Sequence, residues 1–233
     1  MLKNIICLTL FALTCCNNSP SSPDENEIIL PIDTTTDSIE LPAGNTIALN
    51  GIFDSEEWAG AMEKDLTSSG KIRLMYHENY LYLGIKTKPN PVTTLFVYRD
   101  QEVHLYHSSA ALGTAKYSYT SGAWTKIKHF SWHCQSTQMT SGAISERERF
   151  LADNWWVANN AFMGNSDEVE FKIYMPTDSL QIAFCTLGGT DYSELEYWPS
   201  TLADDCVNPI MLKGPIPDAA NFILNQWILV KAP

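Results

Sequence analysis

Ile72-Arg73-Leu74-Met75-Tyr76-His77-Glu78-Asn79-Tyr80-Leu81-Tyr82-Leu83-Gly84-Ile85 decides the fold. Two β-prone runs flank a short polar break, the pattern of a hairpin. In the second run Tyr80 and Tyr82 fall on one face and Leu81 and Leu83 on the other, because successive strand side chains alternate. Thr93 to Tyr98, the break from Arg99 to Glu102, and Val103 to Tyr106 repeat the design. Lys116 to Tyr119, Trp124 to Ile127, Val169 to Tyr174 and Gln181 to Cys185 continue it. Many short strands at fairly even spacing predict an all-β chain: a two-sheet antiparallel β-sandwich, jelly-roll-like, with one or two short helices.

The helices are expected at Asp54 to Gly60 and at Ser145 to Asn154. The first has an N-cap candidate, early acids and a closing glycine. The second has Ser145 as a cap and Glu148 three residues on, as in a capping box. Past Pro209, Pro215 and Pro217 the chain reads as an irregular wrap, with a last strand at Asn225 to Val230.

Met1 to Cys16 combines Lys3, an apolar run from Ile5 to Leu13, and Thr14-Cys15-Cys16. The run is shorter than the ~20 residues a bilayer span needs. It has the charged start and apolar middle of an export signal, with cysteine where small cleavage-site residues usually stand. It resembles a bacterial lipoprotein signal. That resemblance implies a signal peptide over residues 1–15 and acylation of Cys16, with Cys15 the rival; an ordinary secretory signal is the other reading. Residues 16–45, rich in Ser, Pro, Asp and Thr, read as a flexible tether. Residues 46–233 are then one domain, long enough for a sizeable core. The expected place is the cell envelope, lipid-anchored outside the cytoplasm, with the membrane as partner through the anchor alone.

The chain carries 15 basic and 27 acidic residues, a net charge of −12. This repels phosphate backbones, and no basic stripe is evident, so nucleic acid is excluded as an expected partner. An exported chain can form a disulfide, and Cys185 with Cys206 is the preferred pair. No CxxC spacing exists for a thiolate zinc site.

Three phrases carry a further resemblance. Leu49-Asn50-Gly51-Ile52-Phe53-Asp54-Ser55-Glu56-Glu57-Trp58 comes first, then the Ile72–Ile85 hairpin, then Asp167-Glu168-Val169-Glu170-Phe171-Lys172-Ile173-Tyr174-Met175-Pro176. In that order they resemble family 9 carbohydrate-binding modules and DOMON-like domains. The resemblance implies a two-sheet sandwich and carbohydrate recognition. It departs at Glu102-Val103-His104-Leu105-Tyr106-His107, where histidines replace acids that hold calcium in some members. Some DOMON-like domains bind haem through methionine, but Met75, Met139, Met163 and Met175 pair with no histidine at a telling distance. No cofactor is therefore expected; calcium and haem have no support.

Sugar recognition needs flat aromatic faces and a few orienting polar groups. Trp155 and Trp156 with Asn154 form the best such cluster; Trp132 and Trp124 are further candidates. Adjacent tryptophans on a strand point opposite ways, so one of Trp155 and Trp156 is expected inside. His104, His107, His129 and His133 read as half-exposed strand residues rather than metal ligands. Asp204-Asp205 and the acids Glu194 and Glu196 read as solvated loop carboxylates. No G-x-S-x-G, H-E-x-x-H or phosphate loop is present, and nothing forms a catalytic constellation. The expected function is non-catalytic binding of a glycan or similar polar ligand. The alternatives are a protein-interaction accessory of the envelope and, behind it, a haem-binding DOMON-like domain.

Overall fold

In the computed structural model, which describes residues 37–108, 114–130, 140–160, 167–202 and 216–233, the 72–85 hairpin pairs Ile72 with Ile85, Leu74 with Leu83 and His77 with Tyr80. The expected polar break shrinks to two residues, Glu78 and Asn79, at φ 47° and 66°. Asp100-Gln101 (φ 52° and 63°) and Ser121-Gly122 (φ 53° and 84°) close two more hairpins in the same way. Two consecutive positive φ values suit the right-handed twist of the flanking strands, so these turns hold register tightly.

In chain order the described strands are β1 (Ser38–Glu40), β2 (Met62–Asp65), β3 (Lys71–His77), β4 (Tyr80–Lys86), β5 (Val92–Arg99), β6 (Glu102–His107), β7 (Thr114–Thr120), β8 (Ala123–Phe130), β9 (Trp156–Asn160), β10 (Glu168–Tyr174), β11 (Ser179–Gly188), β12 (Glu194–Trp198), β13 (Ala219–Ala220) and β14 (Ile228–Lys231). One helix, α1 (Ser141–Asn154), lies between β8 and β9. They form a two-sheet, antiparallel-rich β-sandwich, as the strand pattern predicts. The larger sheet runs β1-β14-β11-β5-β6-β7-β8-β13 with β12 also paired to β11; the smaller runs β2-β3-β4-β10-β9. Among the described residues no helix is long and apolar enough to cross a membrane.

Alternation sorts the apolar residues into three cores. Ile72, Leu74, Leu81, Leu83, Phe171 and Ile173 of the smaller sheet meet Leu95, Val97, Ile182 and Phe184 of the larger one between the layers. The other face of the larger sheet (Phe96, Val103, Leu105, Tyr117, Cys185) is covered by Leu202, Ile216, Phe222, Leu224 and Trp227. The expected C-terminal wrap is thus a lid over a second core. The outer face of the smaller sheet (Met75, Tyr82) is covered by Ile47 and Trp58.

Buried carboxylates fasten these coverings. Glu170, fully buried on β10, accepts hydrogen bonds from Asn50 N (3.0 Å), Gly51 N (2.8 Å) and Trp58 Nε1 (3.1 Å). The first and third phrases of the resemblance therefore meet at one carboxylate. Glu196, expected in a solvated loop, is buried on β12 and accepts from Ser69 N and Gly70 N, both at 2.8 Å, and from the Thr87 hydroxyl. It is a clasp inside the fold, because a carboxylate can enter an interior when backbone amides solvate it.

Several expectations are corrected. Residues 54–60 are hydrogen-bonded turns, not a two-turn helix; Asp54 Oδ1 takes Glu56 N at 2.7 Å, a local bond that competes with a helical ladder. Helix α1 begins four residues before Ser145, with Thr140 as its cap accepting from Ala143 N at 3.4 Å. β1 pairs with β14 and Leu41 is buried, so the folded body starts inside the stretch read as tether. The signal, Cys16 and the first part of the tether lie outside the described residues, as do Cys206 with its pairing to Cys185, and Asp204-Asp205.

Candidate functional site

The inter-sheet core draws on β14, β11, β5 and β12 of the larger sheet and on Tyr106 of β6, but among the described residues on nothing from β7 or β8. Here the larger sheet outruns the smaller. The inner face it leaves uncovered by the smaller sheet, among the described residues, meets the C-terminal end of α1 and the start of β9, and a pocket of about 170 Å³ lies between them. That is below the ~300–1,000 Å³ of pockets for drug-sized ligands, so it suits one ring or one chain end.

Asn154, Trp155 and Trp156 line it, three of the five residues singled out from sequence. Their elements explain their different roles. Trp155 closes α1 in the left-handed region (φ 68°), where glycine is usual. Its N–H donates to Leu151 O at 2.7 Å, and its carbonyl accepts from Tyr174 N at 2.8 Å. Pinned so, the side chain stays 47% exposed, its ring edge-on to Tyr174 and beside the Arg99 guanidinium at 5.7 Å. Trp156 opens β9 opposite Ile173 and turns inward; it is buried and stacks on Tyr106 with centroids 4.5 Å apart. One tryptophan is displayed and its neighbour is the floor, because Trp155 caps the helix in the left-handed region while Trp156 begins the strand. Asn154 is held by Nδ2 donating to Phe150 O at 3.0 Å.

Trp124 does not join them. It is buried in the second core, edge-on to Tyr98, Tyr119 and Phe222. Trp132 lies outside the described residues.

The rest of the lining comes from the larger sheet. His104 of β6 pairs with Lys116 of β7, which pairs with Lys128 of β8. Directly opposed residues share a face, so the three side chains form one row across three strands, opening on the pocket. His104 is not half-exposed as expected but 4% exposed, its ring edge-on to that of Tyr106 with centroids 5.9 Å apart. Burial, with Lys116 and Arg99 nearby, pushes its imidazole down to about 3, so the ring is neutral at neutral pH. The Tyr106 hydroxyl lies 3.2 Å from His104 Nδ1, and burial pushes that phenol up to about 12. His104 Nε2 stands 3.3 Å from Glu102 Oε2 yet makes no hydrogen bond among the described residues. Lys116 Nζ reaches the same Glu102 oxygen at 3.3 Å. On the same face at the end of β5, Arg99 is 7% exposed; it donates to Tyr174 O, while its Nε and Nη1 find no partner among the described residues.

His107 is buried too, on the face of β6 opposite His104, and His129 is exposed. His133 lies outside the described residues. No group of three or more His, Cys, Asp or Glu side chains among the described residues could hold a metal ion. Met75 and Met175 are buried in separate apolar cores.

Sequence reasoning missed His104, Tyr106, Lys116 and Lys128. The signal was present in part: His104 and Tyr106, two apart on a strand, share a face. The partnering of β6, β7 and β8 that lines up the lysines is a matter of register, which one sequence read segment by segment does not display. Comparison with family models, with curated proteins and with solved structures finds no match to this chain.

Proposed function

We propose that this chain is a non-catalytic recognition domain for a glycan or similar polar small ligand, held outside the cytoplasm by a lipid on Cys16. The observation that carries the binding half is Trp155. A large aromatic ring stands half in solvent, in a backbone conformation costly for any residue with a Cβ, at the mouth of a pocket lined with polar groups. A flat aromatic face beside a few fixed donors and acceptors is what a sugar ring requires. The resemblance of the three sequence phrases to carbohydrate-binding modules supports the same reading. The anchor half rests on the sequence of residues 1–16 alone.

The test is affinity across a diverse glycan array, repeated with Trp155→Ala and, as a control, Trp124→Phe. Truncating an anchoring aromatic costs about 2 kcal/mol or more, over tenfold in affinity. Trp155→Ala is expected to lose that much while melting like the parent, and Trp124→Phe to bind normally. A folded protein with no glycan affinity, or equal affinity in Trp155→Ala, would refute the reading.

A further inference from the structure

Trp155 is one end of a longer run of rings. Its indole stands edge-on to the Tyr174 ring with centroids 6.2 Å apart, and Tyr174 meets Tyr80 at 5.5 Å. Register explains the alignment. Tyr174 of β10 is directly opposed to Tyr80 of β4, which is opposed to His77 of β3. Directly opposed residues share a face. Here it is the outer face of the smaller sheet, since Ile173 and Leu81 beside them belong to the inter-sheet core. Tyr174, Tyr80 and His77 each keep part of their surface in solvent. The segment covering the rest of this face is tied down further along β10, by Glu168 and Glu170.

Lys172 stands beside the row. It shares the face of Tyr174, and its ammonium lies 4.2 Å from the Tyr80 centroid and 5.3 Å from that of Tyr82. A cation over a ring face is attracted to it, so Lys172 holds Tyr80 in place. Glu78 and Glu148 act on this ammonium electrostatically and offset its charge. Among the described residues it makes no ion pair or hydrogen bond. Its N–H donors are open to a neutral acceptor such as a hydroxyl.

The pocket has room for one ring, and the aromatic row runs on from its wall across strands about 4.8 Å apart. One sugar cannot fill the pocket and also reach Tyr80. We propose that the binding site continues out of the pocket along Trp155, Tyr174 and Tyr80, and that its ligand is an extended oligosaccharide chain, one sugar at the pocket and the following ones on the row. This rests on the reading of the pocket as a glycan site and adds that the ligand is a chain. No bond is made or broken. The C–H faces of successive sugars lie against the rings, and Lys172 donates to their hydroxyls.

The tyrosine pair also packs the end of the sheet, a task that needs bulk but not a flat ring. The experiment therefore uses a Tyr80→Leu/Tyr174→Leu double variant, which keeps apolar bulk, with its melting curve as the check on folding. The full chain is titrated with cello-, xylo-, manno- and malto-oligosaccharides, each as a ladder from monosaccharide to hexasaccharide. In the ladder that binds, the tetrasaccharide is expected to bind about tenfold tighter than the monosaccharide, with little gain beyond it. The double variant should cut that advantage to about twofold, and Trp155→Ala should weaken every member. Lys172→Met, which keeps the apolar stem and removes the ammonium, should also shrink the advantage, and stands in if the double variant melts early. Affinity independent of chain length would overturn the chain assignment and leave the glycan reading standing. A full length advantage retained in the folded leucine variant, or in Lys172→Met where that variant stands in, would overturn it as well. Binding to no ladder would overturn it too, and the diverse array then judges the glycan reading separately.

Discussion

Two buried titratable side chains sit at opposite ends of this molecule's electrostatics. Burial pushes the carboxyl of Glu170 up to about 7, against the pull of the hydrogen bonds donated by Gly51, Trp58 and Asn50. The folded state therefore keeps that proton where the unfolded chain has lost it. The resulting stability is fully present below the ordinary carboxylate value and is lost as pH rises through about 7. His104 works in the other sense. Its folded value of about 3 lies below the ordinary 6.5, so its contribution is complete above 6.5 and is lost as pH falls toward 3. At about 1.4 kcal/mol per pH unit, that loss has a ceiling of about 5 kcal/mol. Because Glu170 offsets part of it, the informative quantity is a difference between proteins. His104→Gln should lose clearly less stability than the parent between pH 7 and pH 4, measured by urea denaturation at both. Equal losses would show that His104 is not buried as a neutral ring.

At the scale of elements, the local patterns that depend on neighbours in sequence were legible and those that depend on distant partners were not. The 72–85 hairpin formed with its alternation intact because two apolar faces and a two-residue turn agree on one register. The 54–60 stretch carried helical end signals, yet Glu170, more than a hundred residues away, holds the amides of Asn50 and Gly51 and the indole of Trp58. That tertiary grip, with the local bond at Asp54, yields turns instead. Helix α1 starts early because Thr140 outcompetes Ser145 as cap and leaves Ser145 exposed within the helix. Gly84 shows why the hairpin and the covering segment are one unit. A Cβ there would come within 2.5 Å of the Phe53 ring and 2.8 Å of the Trp58 ring. Gly84→Ala should therefore destabilise the protein by about 1–3 kcal/mol through overpacking, seen as a lowered denaturation midpoint. A neutral effect would mean that residues 50–58 do not pack on β4 as described.

For the whole molecule, the class of fold was readable because strand alternation is written along the chain in the same period throughout. The unequal width of the two sheets was not readable, because it depends on how many strands join each sheet and in what order. That inequality creates the site. Were the smaller sheet as wide as the larger, Lys116 and Lys128 would face an apolar layer, where burying ammonium groups is costly. Instead, among the described residues, a helix and two tryptophans with opposite orientations wall off that strip of the larger sheet. Trp155 and Asn154 could be picked out in advance as an aromatic and a polar group side by side. Their partners His104, Tyr106 and Lys116 sit roughly forty to fifty residues earlier and become neighbours only through the layering. The most direct test is an amide NMR titration of the full chain with the glycan that binds tightest on the array. Shifts concentrated at residues 104–106, 114–116, 128 and 153–156, with the Trp155 indole among the largest, are the expected result. Shifts centred on the C-terminal lid over the second core, or on the 50–58 segment, would contradict it.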